Sequence, residues 1–192
     1  MPKEKLLLVG AGGFGRVVSE LARIDYDCAF VDDGVDKGTK VCDIEVIGNT
    51  TNLEDLFFTY KNIVITIGDN LIRKRIYEQA SKIGYSFPNL IHPSAYISSY
   101  ANIGKGCVVL NNACIQNGST VSNCVLLNPG VEIHHDSFVD DFSLIYTNSV
   151  VRTYAKVSKC VKIGSNTTVC NNVVVNDNAV ISDCLAIKLD ND

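Results

Sequence analysis

From Ile91 onward, every sixth residue is a branched aliphatic: Ile91, Ile97, Ile103, Val109, Ile115, Val121, Leu127, Ile133, Val139, Ile145, Val151, Val157, Ile163, Val169, Val175, Ile181 and Ile187. Four places after each of these the residues are mostly small, as at Ala95, Ala101, Cys107, Ala113, Ser119, Ser143, Ser149 and Thr167. A helix repeats near 3.6 residues and a plain strand repeats at two, so neither produces a period of six. A sustained hexapeptide repeat predicts a solenoid of short parallel strands, each unit making one strand and one corner.

Three units close a coil, and the next coil stacks at about 4.8 Å, the ordinary strand spacing. Each inward aliphatic then lies on its equivalent eighteen residues later. The narrow interior accommodates one large and one small inward position per unit. Corners need backbone angles that Gly and Asn tolerate, and the third place after the aliphatic supplies Gly106, Asn112, Gly118, Gly130, Asn148, Asn166, Asn172 and Asn178. The period does not set the hand of the coil.

The residues before the repeat read differently. Lys5–Val9 is an apolar run that enters Gly10-Ala11-Gly12-Gly13-Phe14-Gly15, a G-x-G-x-x-G turn, and continues with helical spacing from Arg16 to Ile24. A second apolar run, Cys28–Val31, ends at Asp32-Asp33. Strand, glycine turn, helix, strand and terminal acids make a dinucleotide-type βαβ unit, whose glycines admit a phosphate or sugar nucleotide to the backbone and whose helix N-terminus favours an anion. Residues 34–50 read as a loop-rich connection, Leu53–Phe58 as a short helix and Ile63–Ile67 as a third strand ending at Gly68-Asp69-Asn70. A helix over Leu71–Ile83 is expected to place Arg73, Lys74 and Arg75 on its solvated face and to end at Gly84. The expected organisation is therefore α/β plus all-β: a small Rossmann-like βαβ domain over residues 1–88, then the solenoid over residues 89–192. At the strand ends, Gly12, Gly13, Phe14, Asp32, Asp33, Gly68 and Asn70 should converge on a ligand edge. The glycine motif alone would also fit a nicotinamide-binding module, although too few residues precede the solenoid for a second nucleotide-binding half.

A net charge of -4 without a basic run argues against nucleic acid or an anionic membrane surface as the main partner. No apolar stretch has the length of a membrane span, and Met1-Pro2-Lys3 leads directly into a strand, so a cytoplasmic protein without a signal peptide is expected. The eight cysteines include no C-x-x-C pair and several occupy the repeat's small positions, which predicts reduced structural thiols. Cys124 and Cys160, thirty-six residues apart, should share a corner two coils apart, too distant for a disulfide.

Of the three histidines, His92 opens the solenoid beside Pro93 and reads as a capping or surface residue. His134 and His135 are adjacent in Ile133-His134-His135-Asp136, at a corner where side chains project outward. Asp136 can accept a hydrogen bond from one imidazole nitrogen and make the other a general base for an amine or hydroxyl. A corner histidine without a role is the alternative on local sequence. A metal site is not expected, because no third ligand has a clear claim to the same corner.

These residues together resemble the bacterial sugar acyltransferases that acetylate nucleotide-linked amino sugars or sialic acids. The resemblance is carried by Gly10–Gly15, Asp32-Asp33, the hexapeptide repeat, Asn128 and His135-Asp136, and it extends from about Lys5 to Ile187. It implies a left-handed parallel β-helix, a homotrimer, and acetyl-CoA as co-substrate in the groove between adjacent solenoids. By position, His135 matches the catalytic base and Asp136 its orienting acid, while Gly12, Gly13, Phe14, Asp32, Asp33, Gly68 and Asn70 fall at the nucleotide-sugar edge. Family members often have His where Phe14 stands. Leu144 stands where many carry a second histidine near acetyl-CoA, and Asn171 falls at another cofactor contact. One extra hexapeptide lies between His135 and Ile163-Gly164, and the chain stops at Asp192 without the glycine and proline segment that commonly helps to hold CoA. The implied activity is acetyl transfer from acetyl-CoA to the amino group of a nucleotide-linked sugar by direct attack on the thioester. O-acetylation of the sialic-acid type and a catalytically silent binding or scaffold subunit are the alternatives.

Overall fold

The computed structural model describes residues 2–189, and the chain divides into two compact units between Leu90 and Ile91. Met1 and the chain end at Asp192, on which the expectations about a leader and a missing C-terminal segment rest, lie outside the described residues. In the first unit, β1 (Glu4–Val9), β2 (Tyr26–Val31), β4 (Ile44–Gly48) and β5 (Asn62–Ile65) form a sheet with β3 (Lys40–Val41) at its edge, in the order β3-β4-β2-β1-β5. All pairings are parallel except β3 with β4. Helices α1 (Gly13–Ala22), α2 (Leu53–Leu56) and α3 (Asn70–Ile83) connect or flank the strands. Because β2 lies on one side of β1 and β5 on the other, the chain reverses its direction of winding at β1, the point where open α/β sheets bind ligands. The core is aliphatic: Leu7, Val9, Val31, Ile63 and Ile76 are essentially inaccessible, and each contributes about 1.5–3 kcal/mol by burial.

Two expectations are corrected here. Residues 34–50 are not merely a connection, since they hold β3 and β4. The two strands form a hairpin with Val41 opposite Ile44, and the intervening Cys42 and Asp43 both have positive φ, 49° and 63°. That is the geometry of a type I′ turn, which ordinarily announces itself as Asn-Gly or Asp-Gly. Arg73 is not solvated but fully buried, on the helix stripe shared with Ile76 and Ala80. Its guanidinium donates to the Ile67 carbonyl at 2.7 Å and to Asn70 Oδ1 at 2.9 Å, so the polar head is satisfied at the end of β5. Asp69 caps α3 by accepting from the Ile72 N–H at 2.8 Å, and Gly84 ends it in the left-handed region at φ 105°.

The second unit is a solenoid of two-residue strands in three parallel sheets of six, five and six strands. Every pairing joins residues eighteen apart, as in Ile115 with Ile133 and Ile145 with Ile163. The aliphatic column forms the core: Val109, Ile115, Val121, Leu127 and Ile133 are wholly inaccessible, whereas Ile91 and Ile187 at the ends lack a neighbouring coil on one side and stay partly exposed. From Gly106 to Cys184 every sixth residue adopts positive φ, including Cys124, Asp136, Phe142, Tyr154 and Cys160 between the expected Gly and Asn. The stacked coil imposes this angle on whatever residue occupies the corner.

The small inward position also carries hydrogen bonds. Ser149 Oγ donates to the Gly164 carbonyl at 2.6 Å and accepts from the Thr167 N–H at 3.1 Å. Ser143 bridges to Ser158 and Val161, and Thr167 to Ser182 and Leu185, at the same spacings. These hydroxyls tie one coil to the next where no water reaches. All eight cysteines are free thiols.

Candidate active site

The first unit brings its expected residues to one edge. Gly12 precedes α1, and Gly12 and Gly13 are exposed with Phe14 half-buried beside them. Gly15 is required for packing, because a Cβ there would run into the Gly10 carbonyl. Thr66 Oγ1, at the end of β5, donates to that same carbonyl at 2.7 Å and so joins the β5 end to the glycine turn. Asp32 Oδ2 accepts from the Ala11 N–H at 2.7 Å, while Oδ1 accepts from the Gly34 N–H at 2.8 Å. Asp33 faces another way, accepting from the Thr50 N–H at 2.7 Å and its hydroxyl at 2.9 Å. A depression of about 290 Å³ is lined by both acids, Lys37, Gly48, Asn49 and Asn52 among others, but not by Gly12, Gly13 or Phe14. Gly68 is half-buried, and Asn70 is mostly buried with its amide oxygen held by Arg73. Gly12, Gly13, Asp32 and Gly68 therefore share the edge, whereas Asp33 and the Asn70 side chain are committed to neighbouring structure.

In the solenoid, Glu132–Ile133 is a strand of one sheet and Phe138–Val139 of the next, so His134 to Ser137 form the corner between them. His135 Nδ1 lies 2.9 Å from Asp136 Oδ2, with both side chains about half exposed. An ionised carboxylate only accepts, so Nδ1 carries the proton and Nε2 presents its lone pair. Nε2 lies 3.2 Å from Thr153 Oγ1, one coil on. The Gln116 amide oxygen, one coil back, accepts from the His135 N–H at 3.0 Å and secures the backbone beneath the ring. Tyr154 approaches the imidazole edge-on, with centroids 6.3 Å apart. His134 has a carboxylate of its own, Glu132, with Nε2 3.1 Å from Oε2.

Asn171 is exposed two coils after His135 on the same corner, in the row His135, Thr153, Asn171. Leu144 is buried on a different sheet, paired with Leu126 and Lys162. Thr153, Gln116 and Glu132 were not anticipated from sequence. The signal for Thr153 was available, because the eighteen-residue coil places it directly over His135. Among the described residues no group of three or more His, Cys, Asp or Glu side chains could hold a metal ion, and no helix is long and apolar enough to cross a membrane.

Comparison with known proteins finds similarity along both parts of the chain. The PglD N-terminal domain family matches residues 5–80, and the GMPPB C-terminal domain family matches residues 86–185, which is more than half of the chain. A UDP-N-acetylbacillosamine N-acetyltransferase of Bacillus subtilis (strain 168) is 32% identical over 111 residues, covering 56% of this chain and 51% of the relative. The chain thus spans about half the length of that relative. A GDP-perosamine N-acetyltransferase of Escherichia coli O157:H7 is 25% identical over 161 residues, covering 80% of this chain and 68% of the relative. The acetyltransferase domain of PglB from Neisseria gonorrhoeae FA1090, solved in complex with acetyl coenzyme A, superposes with a TM-score of 0.90 at 32% identity, covering 96% of this chain and 93% of that one. With that likeness along nearly its whole length, the chain belongs to the bacterial nucleotide-sugar acetyltransferase family, hexapeptide-repeat acyltransferases with a left-handed parallel β-helix.

Proposed function

We propose that the protein transfers the acetyl group of acetyl-CoA to the amino group of a nucleotide-linked amino sugar, with His135 as general base and Asp136 as its orienting acid. The observation that carries the assignment of the base is the 2.9 Å contact between His135 Nδ1 and Asp136 Oδ2, which leaves Nε2 as the only ring nitrogen able to take a proton. The acetyl-CoA complex of the PglB domain and the nucleotide-sugar names of both relatives support the co-substrate and the acceptor class.

The amine nitrogen attacks the thioester carbonyl as Nε2 accepts its proton. The tetrahedral oxyanion needs a donor, and the Thr153 N–H, which makes no hydrogen bond to other described residues, is the one we assign. Collapse expels the CoA thiolate, the imidazolium returns the proton to sulfur, and an acetamide remains. No acyl-enzyme is needed, because holding both substrates in one groove supplies the proximity. Gly12, Gly13, Phe14, Asp32 and Gly68 would receive the nucleotide sugar: the glycine turn offers backbone N–H groups to phosphate, and the Asp32 oxygens retain lone pairs for ribose or base donors. Asn171, exposed on the corner of His135, would lie on the acetyl-CoA side, whereas Leu144, expected there from its position in the family, is buried and gets no cofactor role. The enzyme is proposed to work as a homotrimer in the cytoplasm, where eight free thiols remain reduced.

The test is incubation with acetyl-CoA and a panel of UDP-, dTDP- and GDP-linked amino sugars, read by mass spectrometry for one added acetyl group. His135→Ala should lower turnover by about 10²–10⁴-fold. An unchanged His135→Ala beside an inactive His134→Ala would move the base to the His134–Glu132 pair. Acetylation at a hydroxyl, located by fragmentation, would refute the amine acceptor.

A further inference from the structure

The imidazole of His135 is held on both sides. Asp136 secures Nδ1, while the hydroxyl of Thr153, half-buried on the following coil, lies 3.2 Å from Nε2, the nitrogen that must accept the proton. We propose that Thr153 is a positioning residue for His135, whose hydroxyl holds the Nε2 edge of the ring in both of its protonation states. This inference rests on the reading of His135 as the base.

The chemistry of the hydroxyl is what makes the position specific. A threonine hydroxyl is one donor and also an acceptor with two lone pairs. It donates to Nε2 while the ring is neutral and, after rotating about its C–O bond, accepts from Nε2–H once the ring is an imidazolium. An incoming amine displaces the donated hydrogen bond without displacing the side chain, because Thr153 is fixed by the coil rather than by the imidazole. The adjoining backbone is tied down: Asn172 N–H donates to the Thr153 carbonyl at 3.2 Å, and Arg152 N–H to Val169 at 2.9 Å. A half-exposed imidazole held only at Nδ1 would swing about that single contact, and small displacements of a catalytic group cost large factors in rate. Glutamine at position 116 secures the backbone of His135 but does not reach its ring nitrogens in any contact of the structure.

Two substitutions separate the hydroxyl from the rest of the side chain. Thr153→Val keeps the shape and branching but can neither donate nor accept; Thr153→Ser keeps the hydroxyl. With the full-length protein, acetyl-CoA and the amino-sugar nucleotide that the wild type acetylates, Thr153→Val should lower kcat by about tenfold, the effect of losing one hydrogen bond to the base. KM for acetyl-CoA should stay within about twofold, and Thr153→Ser should recover most of kcat. A readout independent of turnover is the ¹⁵N resonance of His135 Nε2, which should move downfield in Thr153→Val, as an unprotonated imidazole nitrogen does on losing a donor, and stay in place in Thr153→Ser.

A valine variant with wild-type kcat would overturn the inference, as would a serine variant as slow as valine, since packing rather than the hydroxyl would then be at work. Intact-mass detection of acetyl on Thr153 during a single turnover would also overturn it, because the hydroxyl would be a nucleophile. His135→Ala, assayed in parallel, keeps the two readings apart: inactive His135→Ala with unaffected Thr153→Val removes only the positioning role, whereas active His135→Ala removes the base and the role together.

Discussion

Ser149→Ala tests how the coils of the solenoid are joined. Ser149 is fully buried at a small inward position, and its hydroxyl serves two backbone groups of the next coil, the Gly164 carbonyl at 2.6 Å and the Thr167 N–H at 3.1 Å. Alanine fits the same space, so neither a clash nor a sizeable cavity accompanies the change. What remains is a buried donor and a buried acceptor that water cannot reach. A group left unsatisfied in this way costs about 1–3 kcal/mol, so the pair should cost about 2–6 kcal/mol. For a chain of this size that corresponds to a fall in Tm of roughly 4–24 °C. Ser119→Ala is the matched control, since the equally buried Ser119 hydroxyl donates only to the Gln116 carbonyl within its own corner, and about 1 kcal/mol is expected. Urea unfolding followed by far-UV circular dichroism, at one protein concentration so that association does not differ between samples, gives both values. If the two variants agree within about 0.5 kcal/mol, the bridging hydroxyls do not join the coils and the reasoning fails.

Two further outcomes follow from the corners and the first unit. Cys184 is exposed and held at φ 59°, in the region that costs most L-residues about 1–2 kcal/mol but that asparagine tolerates; Cys184→Asn should therefore raise Tm by a few degrees, roughly 1–4 °C, with acetyl transfer unchanged. Tyr85 is buried with its hydroxyl donating to the Leu53 carbonyl at 2.7 Å, and burial pushes its pKa from 10.0 up to about 12. Between those values the unfolded chain has released a proton that the folded chain keeps, so stability present below pH 10 should be lost as pH rises towards 12. Denaturant titrations across that window should show a decline that Tyr85→Phe reduces.

The aliphatic column was legible because its period is a covalent property of the chain. Ile115, Ile133 and Val151 recur whatever the rest of the protein does, and only a stacked coil buries them all. The same arithmetic places Thr153 over His135, although the local sequence gives no reason to single it out. The β3–β4 hairpin is hidden in the sequence because Cys42-Asp43 occupies a turn that usually carries glycine, even though Ile44-Glu45-Val46 alternates as a strand with one buried face should. Arg73 is hidden because a charged residue in a helix is ordinarily solvated, and the Ile67 carbonyl that accepts from it lies outside the helix, in the turn between β5 and α3.

The sequence by itself determined the two-unit organisation, the solenoid and its coil length, the glycine turn and the His135-Asp136 pair, since each is a local pattern whose physics needs no distant partner. Only the tertiary structure decided that Phe142 and Tyr154 sit in the left-handed region, that Asp33 turns to Thr50 while Asp32 holds the glycine turn, and that His135 meets a hydroxyl at Nε2. The physical reason is shared: each depends on a backbone angle, donor or acceptor brought by another coil or strand. Side-chain chemistry at one position cannot specify what the fold will place opposite it.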